Sequence, residues 1–294
     1  MMFTEQYHSW DYAVFSAHLY RYLPQWTWQD HPRIYQKWAH YHRPKPLQSK
    51  SRWSIESISA LLNDDPKILV LYHLGMHACI PQILAQHNIQ FDILMDRKVY
   101  VKHQHGMSAL RDKADRQKAA YRFLMSDDPA VLLKARTTIR AGRHLLIFAD
   151  GNSGTSDAMD RKLKVNFLES DLYVRTGIAI LSFLLQIPIV PIAHEWDQGH
   201  YRLFSGGSIS RLPKEEREEY IKRSMQLVFN FLTDQIKDKP WSWECWGYLH
   251  RQNCYTLSYP EEIEFNPDLE ENIRLRLGDQ AGIFNRKYFC YQFE

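Results

Sequence analysis

Residues 67–78 read Lys67-Ile-Leu-Val-Leu-Tyr72-His73-Leu-Gly-Met-His77-Ala78, and this stretch decides the fold class. The apolar run has the length of a buried strand rather than a helix, and Asp64, Asp65 and Pro66 punctuate the chain just before it. Gly75 and the apolar spacing after it predict a turn that opens a helix packed back on the sheet. Upstream, Ile55, Ile58, Leu61 and Leu62 stand at helical spacing over 51–63. Downstream the alternation repeats, with a strand over 90–95, a helix over 129–141 that stops at Gly142, and a strand over 143–150. Residues 171–185 read as a helix. Residues 187–193 read as a strand whose Pro188 and Pro191 fit only an edge or a strand start. A hairpin over 195–204 adds antiparallel pairing, and 214–236 reads as a long amphipathic helix. Strands alternating with helices make the chain α/β, with a mixed central sheet flanked by helices. No linker separates two halves, so the reading is one α/β domain over 51–294, with residues 1–50 as a helical extension over one side.

The 294 residues carry 37 Lys and Arg against 34 Asp and Glu, a net charge of +3, which is too small for a scaffold that binds nucleic acid through its phosphates. Cys79, Cys245, Cys254 and Cys290 have no paired spacing and read as reduced thiols in a cytoplasmic setting, with neither a disulfide framework nor a structural zinc site. His8, Asp11, His18 and Arg21 interrupt the early apolar residues, so no signal peptide is expected. The longest apolar stretch, 178–193, is too short and too interrupted to span a bilayer. Trp10, Tyr12, Phe15, Tyr20, Tyr22, Trp26 and Trp28 crowd the beginning of the chain. They read first as packing onto the domain and second as a peripheral contact with the inner membrane.

His73 directly follows a buried strand, where open α/β sheets bind ligands beyond the carboxyl ends of their strands. An imidazole there is able to take a proton from a hydroxyl or amine that attacks an acyl group, and a structural turn histidine is the equal alternative. His77 lies four residues on, which is also a zinc spacing, but Leu74 stands where a metalloprotease carries its Glu and no third ligand is evident, so no metal is assigned. Gly151, Asn152, Ser153 and Gly154 follow the strand over 143–150. Thr155 occupies the second glycine position of a nucleophile elbow, so the loop reads as a plain turn or as a place where backbone N–H groups meet a developing oxyanion. Arg97, Lys98, Lys102, Arg111, Lys113, Arg116, Lys118, Arg136, Arg140 and Arg143 form a basic tract suited to an acidic carrier protein or a coenzyme A phosphate, or to a solvated face.

Four landmarks in order resemble the lysophospholipid acyltransferase superfamily, in its branch of lipid A late acyltransferases. The first is the strand and His73-Leu-Gly-Met-His77-Ala78. The second is Leu145-Leu-Ile-Phe-Ala-Asp150, with the later Val165-Asn-Phe-Leu168. The third is Arg175-Thr-Gly177 with Ile189-Val-Pro191, and the fourth is Pro240-Trp-Ser-Trp-Glu-Cys-Trp-Gly-Tyr-Leu-His250-Arg251. Together they cover about residues 50–251. The resemblance implies transfer of an acyl group from an acyl carrier protein or coenzyme A thioester, the thioester being a co-substrate rather than a cofactor. The acceptor would be a hydroxyl or amine on a small or carrier-tethered molecule, with a lipid A precursor as the alternative. It also implies His73 as general base and singles out Arg175 as a substrate-binding cation; the residues themselves add Gly151 and Ser153 of the loop and His77 as further substrate-binding candidates.

The family carries a carboxylate five residues after the histidine, and here that position is Ala78. Three readings follow. A carboxylate from elsewhere reaches His73, with Asp150 the first choice and Glu195 the second; or His73 works alone; or the chain binds acyl groups without turning them over.

Overall fold

The computed structural model describes residues 7–42, 52–102, 121–151, 162–252 and 254–294. Ser153 and the basic residues between 103 and 120 lie outside these. Among the described residues the main sheet has seven strands: β1 (Arg52–Ser54), β2 (Ile68–Leu71), β3 (Phe91–Met95), β4 (Phe123–Met125), β5 (His144–Phe148), β8 (Ile189–Asp197) and β9 (His200–Ser205). Their order is β1-β9-β8-β2-β5-β3-β4. Pairing is parallel throughout except between β8 and β9, so the sheet is mixed, as the run of strand and helix patterns predicts.

β2 is central and all four of its residues are fully buried, which is why it reads as an uninterrupted apolar run. Helices α3 (Glu56–Leu62) and α4 (Ile80–Gln86) cover one face, their Ile58, Leu62, Ile80, Ile83 and Leu84 joining Leu69, Leu71, Phe91, Ile93, Leu146 and Val190 in one core. Helix α5 (Val131–Arg140) connects β4 to β5.

Three patterns resolve differently from their reading. Residues 51–63 are not all helix, because Arg52–Ser54 pairs with β9 as strand β1 and α3 begins at Glu56. Residues 171–185 are not one helix. Strand β7 (Ser170–Arg175) pairs with β6 (Lys162–Phe167) in a separate two-stranded sheet, and helix α6 (Gly177–Leu185) begins only after Thr176. The alternating burial of Leu172 and Val174 is the period of a strand. Pro191 is also not at an edge, because β8 lies between β2 and β9. Pairing with β2 ends at Pro191 and pairing with β9 begins at Ile192, so the residue without an N–H stands where the ladder changes partner.

The chain gathers into two compact units. One comprises Pro44–Val165 and Val174–Leu232 and holds the seven-stranded sheet. The other comprises Met1–Arg43, Asn166–Tyr173 and Thr233–Glu294. It contains α1 (Trp10–Tyr22), α2 (His31–Tyr41) and an antiparallel sheet of β10 (Asn272–Leu277), β11 (Gln280–Asn285) and β12 (Cys290–Phe293). Its core joins Tyr12, Ala13 and Ala17 of α1 to Ile273, Leu275 and Phe284 of the sheet. The early aromatic residues pack within this unit: Trp10 meets Phe284 edge-on at 5.4 Å, and Phe15 meets Trp38 at 5.2 Å. Trp243 and Trp246 are buried there too, and Trp38 Nε1–H donates to the Trp243 carbonyl at 2.8 Å.

Two buried histidines of this unit make its stability depend on pH. Burial lowers His18 to about 3, against a hydrogen bond with the Trp246 carbonyl at 2.6 Å that acts the other way. Burial, helped by Arg286, lowers His31 to about 4. Both titrate near 6.5 when unfolded, so below that pH the unfolded chain binds more protons than the folded one. Their contribution is intact above pH 6.5 and falls on acidification by about 1.4 kcal/mol per pH unit per histidine. Denaturant midpoints measured at pH 7, 6 and 5 should decline accordingly, and His18→Gln should flatten the decline.

Candidate active site

The sheet itself brings His73 and Asp150 together. β2 and β5 are parallel neighbours with Leu71 opposite Phe148, and His73 and Asp150 each stand two residues past that pair. Asp150 grips His73 twice: its Oδ2 accepts the His73 backbone N–H at 2.9 Å, and its Oδ1 lies 2.8 Å from His73 Nδ1. The carboxylate is nearly inaccessible, with 2% of its side chain exposed, whereas the imidazole is 26% exposed. An acceptor at Nδ1 places the proton there and makes Nε2 the basic nitrogen. A base that is partly exposed and oriented by a buried acid is an arrangement suited to proton abstraction.

The remaining residues singled out in the sequence are distributed unevenly around this pair. The His77 ring meets the His73 ring at 4.9 Å, nearly edge-on, and both rings touch Phe148. They do so across a turn rather than along one helix: Gly75 takes a positive φ of 42°, and residues His77–Cys79 form a single tight helical turn before α4. Gly151 lies beside the imidazole, where an added Cβ would sit 4.0 Å from His73 Cε1. A side chain fits there, so it is proximity rather than backbone strain that marks this glycine. Arg175 closes β7, half-buried, in the two-stranded sheet and not in the sheet that carries the dyad. Ala78 is exposed on the tight turn.

Glu195, the second choice for a carboxylate, is engaged elsewhere. It stands opposite Arg202 in the β8–β9 ladder and accepts from its Nε at 3.0 Å. Arg143 is not part of a basic surface either. Its guanidinium donates to Asp92 at 2.8 Å, to the Phe91 carbonyl at 2.6 Å and to Gln90 at 2.6 Å. Arg136 and Arg140 are exposed on α5.

Sequence reasoning missed Asp92 altogether. It is fully buried on β3 and accepts from Arg122, Thr138 and Arg143. Burial pushes its carboxyl upward, and the hydrogen bonds from Arg122, Thr138 and Arg143 outweigh that and hold it below the usual carboxylate range. A charge inside an apolar strand gives no periodic signal, and only its cationic partners, far along the chain, explain it.

No helix among the described residues is long and apolar enough to cross a membrane. No family model matches this chain, and no curated protein matches it at a significant level.

Proposed function

We propose that this protein is an acyltransferase that moves an acyl group from a thioester to a hydroxyl or amine, with His73 as general base and Asp150 as its orienting acid. The observation that carries the reading is the 2.8 Å contact between His73 Nδ1 and Asp150 Oδ1 at the carboxyl ends of adjacent parallel strands. In the family this chain resembles, the acid lies five residues after the histidine; here Asp150 supplies a carboxylate from the neighbouring strand.

His73 Nε2 removes the proton from the acceptor's O–H or N–H as its oxygen or nitrogen attacks the thioester carbonyl carbon. The tetrahedral adduct collapses with cleavage of the carbon–sulfur bond, and the imidazolium returns its proton to the departing thiolate. Asp150 remains ionised and stabilises the imidazolium. Gly151 and His77 adjoin the His73 ring and belong to the substrate-contacting surface. The donor is an acyl carrier protein or coenzyme A thioester, and the acceptor a small or carrier-tethered molecule.

The test is incubation with acyl thioesters of graded chain length, with and without hydroxyl and amine acceptors, reading free thiol and acylated product. Acceptor-dependent thiol release is expected. Tight thioester binding without consumption of any thioester would leave an acyl-binding protein and overturn the enzymatic reading.

A further inference from the structure

The loop that leaves β2 is held from both sides. On one side Asp150, past the end of β5, accepts the His73 amide. On the other side lies β8, parallel to β2 with Pro191 opposite Val70, and His194 stands three residues past that pair just as His73 does. His194 Nε2 lies 3.0 Å from the Met76 backbone N–H. Within the loop the Leu74 N–H donates to the Tyr72 carbonyl and the His77 N–H to the Leu74 carbonyl. Among the described residues, Asp150, past the end of β5, and His194, on β8, are side chains that accept this loop's amides.

We infer that His194 is a positioning residue for His73, acting by accepting the Met76 amide and so fixing the turn that presents the His73 ring to Asp150; the functional meaning of this role rests on the reading of His73 as the base. The chemistry of the imidazole supports it. A backbone N–H can be accepted only by an unprotonated nitrogen, so Nε2 carries no proton and Nδ1 must carry it. That Nδ1 is buried and has no hydrogen-bond partner among the described residues. A buried donor left unmet is a cost that a phenylalanine of similar shape would avoid. What the histidine supplies and a phenylalanine does not is the acceptor for Met76. Its surroundings keep it able to accept: the rings of Trp53 and Tyr201 lie 5.8 and 5.9 Å away, and burial lowers its pKa to about 4.

The test uses the full chain labelled with ¹⁵N-histidine and carrying His194→Phe or His194→Gln, the glutamine oxygen reaching about as far as Nε2. In the wild type, His194 should be the Nδ1–H tautomer, and His73 should show a downfield Nδ1–H resonance from its bond to Asp150. In a folded His194→Phe protein, exchange of the Met76 amide should quicken by at least about tenfold and the His73 resonance should broaden or vanish. His194→Gln should restore both, and turnover should follow, falling about tenfold in kcat for Phe with KM little changed. If His194→Phe does not fold, His194→Gln against His194→Asn makes the same comparison, because asparagine is too short to reach Met76. Unchanged Met76 exchange and an unchanged His73 resonance in the Phe or Asn variant would overturn the inference. A wild type that shows the His73 resonance yet consumes no thioester would overturn the acyltransferase reading and leave the positioning role standing.

Discussion

Replacing Asp150 by asparagine is expected to lower acceptor-dependent thioester turnover by about 10³- to 10⁴-fold while leaving thioester binding nearly unchanged. The two oxygens of Asp150 serve different atoms of His73, one the backbone amide and one Nδ1. An asparagine oxygen is able to keep the backbone bond, but its NH₂ then faces Nδ1 and forces the proton onto Nε2. The base is lost by a change of tautomer in an otherwise intact fold. Ala78→Glu is the companion variant. Its carboxylate would stand on an exposed turn, and Nδ1 already has an acceptor, so turnover should stay within a few-fold of wild type. A large gain in activity from Ala78→Glu would mean that Asp150 does not serve His73 in solution. Steady-state kinetics on the two variants, with circular dichroism to verify folding, measure both effects.

The largest stability effect is expected at Asp92. Its carboxylate is the common acceptor for Arg122 at the entrance to β4, Thr138 on α5 and Arg143 at the entrance to β5. Asp92→Ala takes away the buried carboxylate to which the Arg143 guanidinium, 15% exposed, donates. Removing one member of a buried ion pair costs about 3–5 kcal/mol, and the lower end applies here because Arg122 is 56% exposed and is able to rehydrate. Guanidinium chloride denaturation should therefore show a loss of about 3 kcal/mol. Arg122→Met should cost less, since it leaves Asp92 paired with Arg143. A variant at Asp92 as stable as the wild type would contradict this account of how β3, β4, β5 and α5 are joined.

Much of the sheet is legible because its strands are short apolar runs bounded by clear punctuation, as at Pro66 and Gly142. The pairing of His73 with Asp150 is legible for the same reason, since both residues end such runs and adjacent parallel strands deliver their ends to one edge. What is not legible depends on partners remote in sequence. Asp92 finds its cations at 122 and 143, and His194 becomes meaningful only through the register of β8 against β2. Residues 171–185 show a different failure. The apolar run from Ile178 to Leu185 invites a helix that extends backward over the preceding residues, whereas the alternation of Leu172 and Val174 with Tyr173 and Arg175 marks a strand that stops before Thr176. The division into two units escapes the sequence because the first 43 residues gather with the end of the chain, and no linker composition announces such a union.

The central claim is that His73 removes the acceptor's proton. It is tested most directly by measuring, on one preparation of folded protein, both the turnover and the thioester affinity of His73→Ala. The account predicts a fall in turnover of about 10²- to 10⁴-fold with affinity nearly unchanged. Full turnover in a folded His73→Ala protein would contradict it.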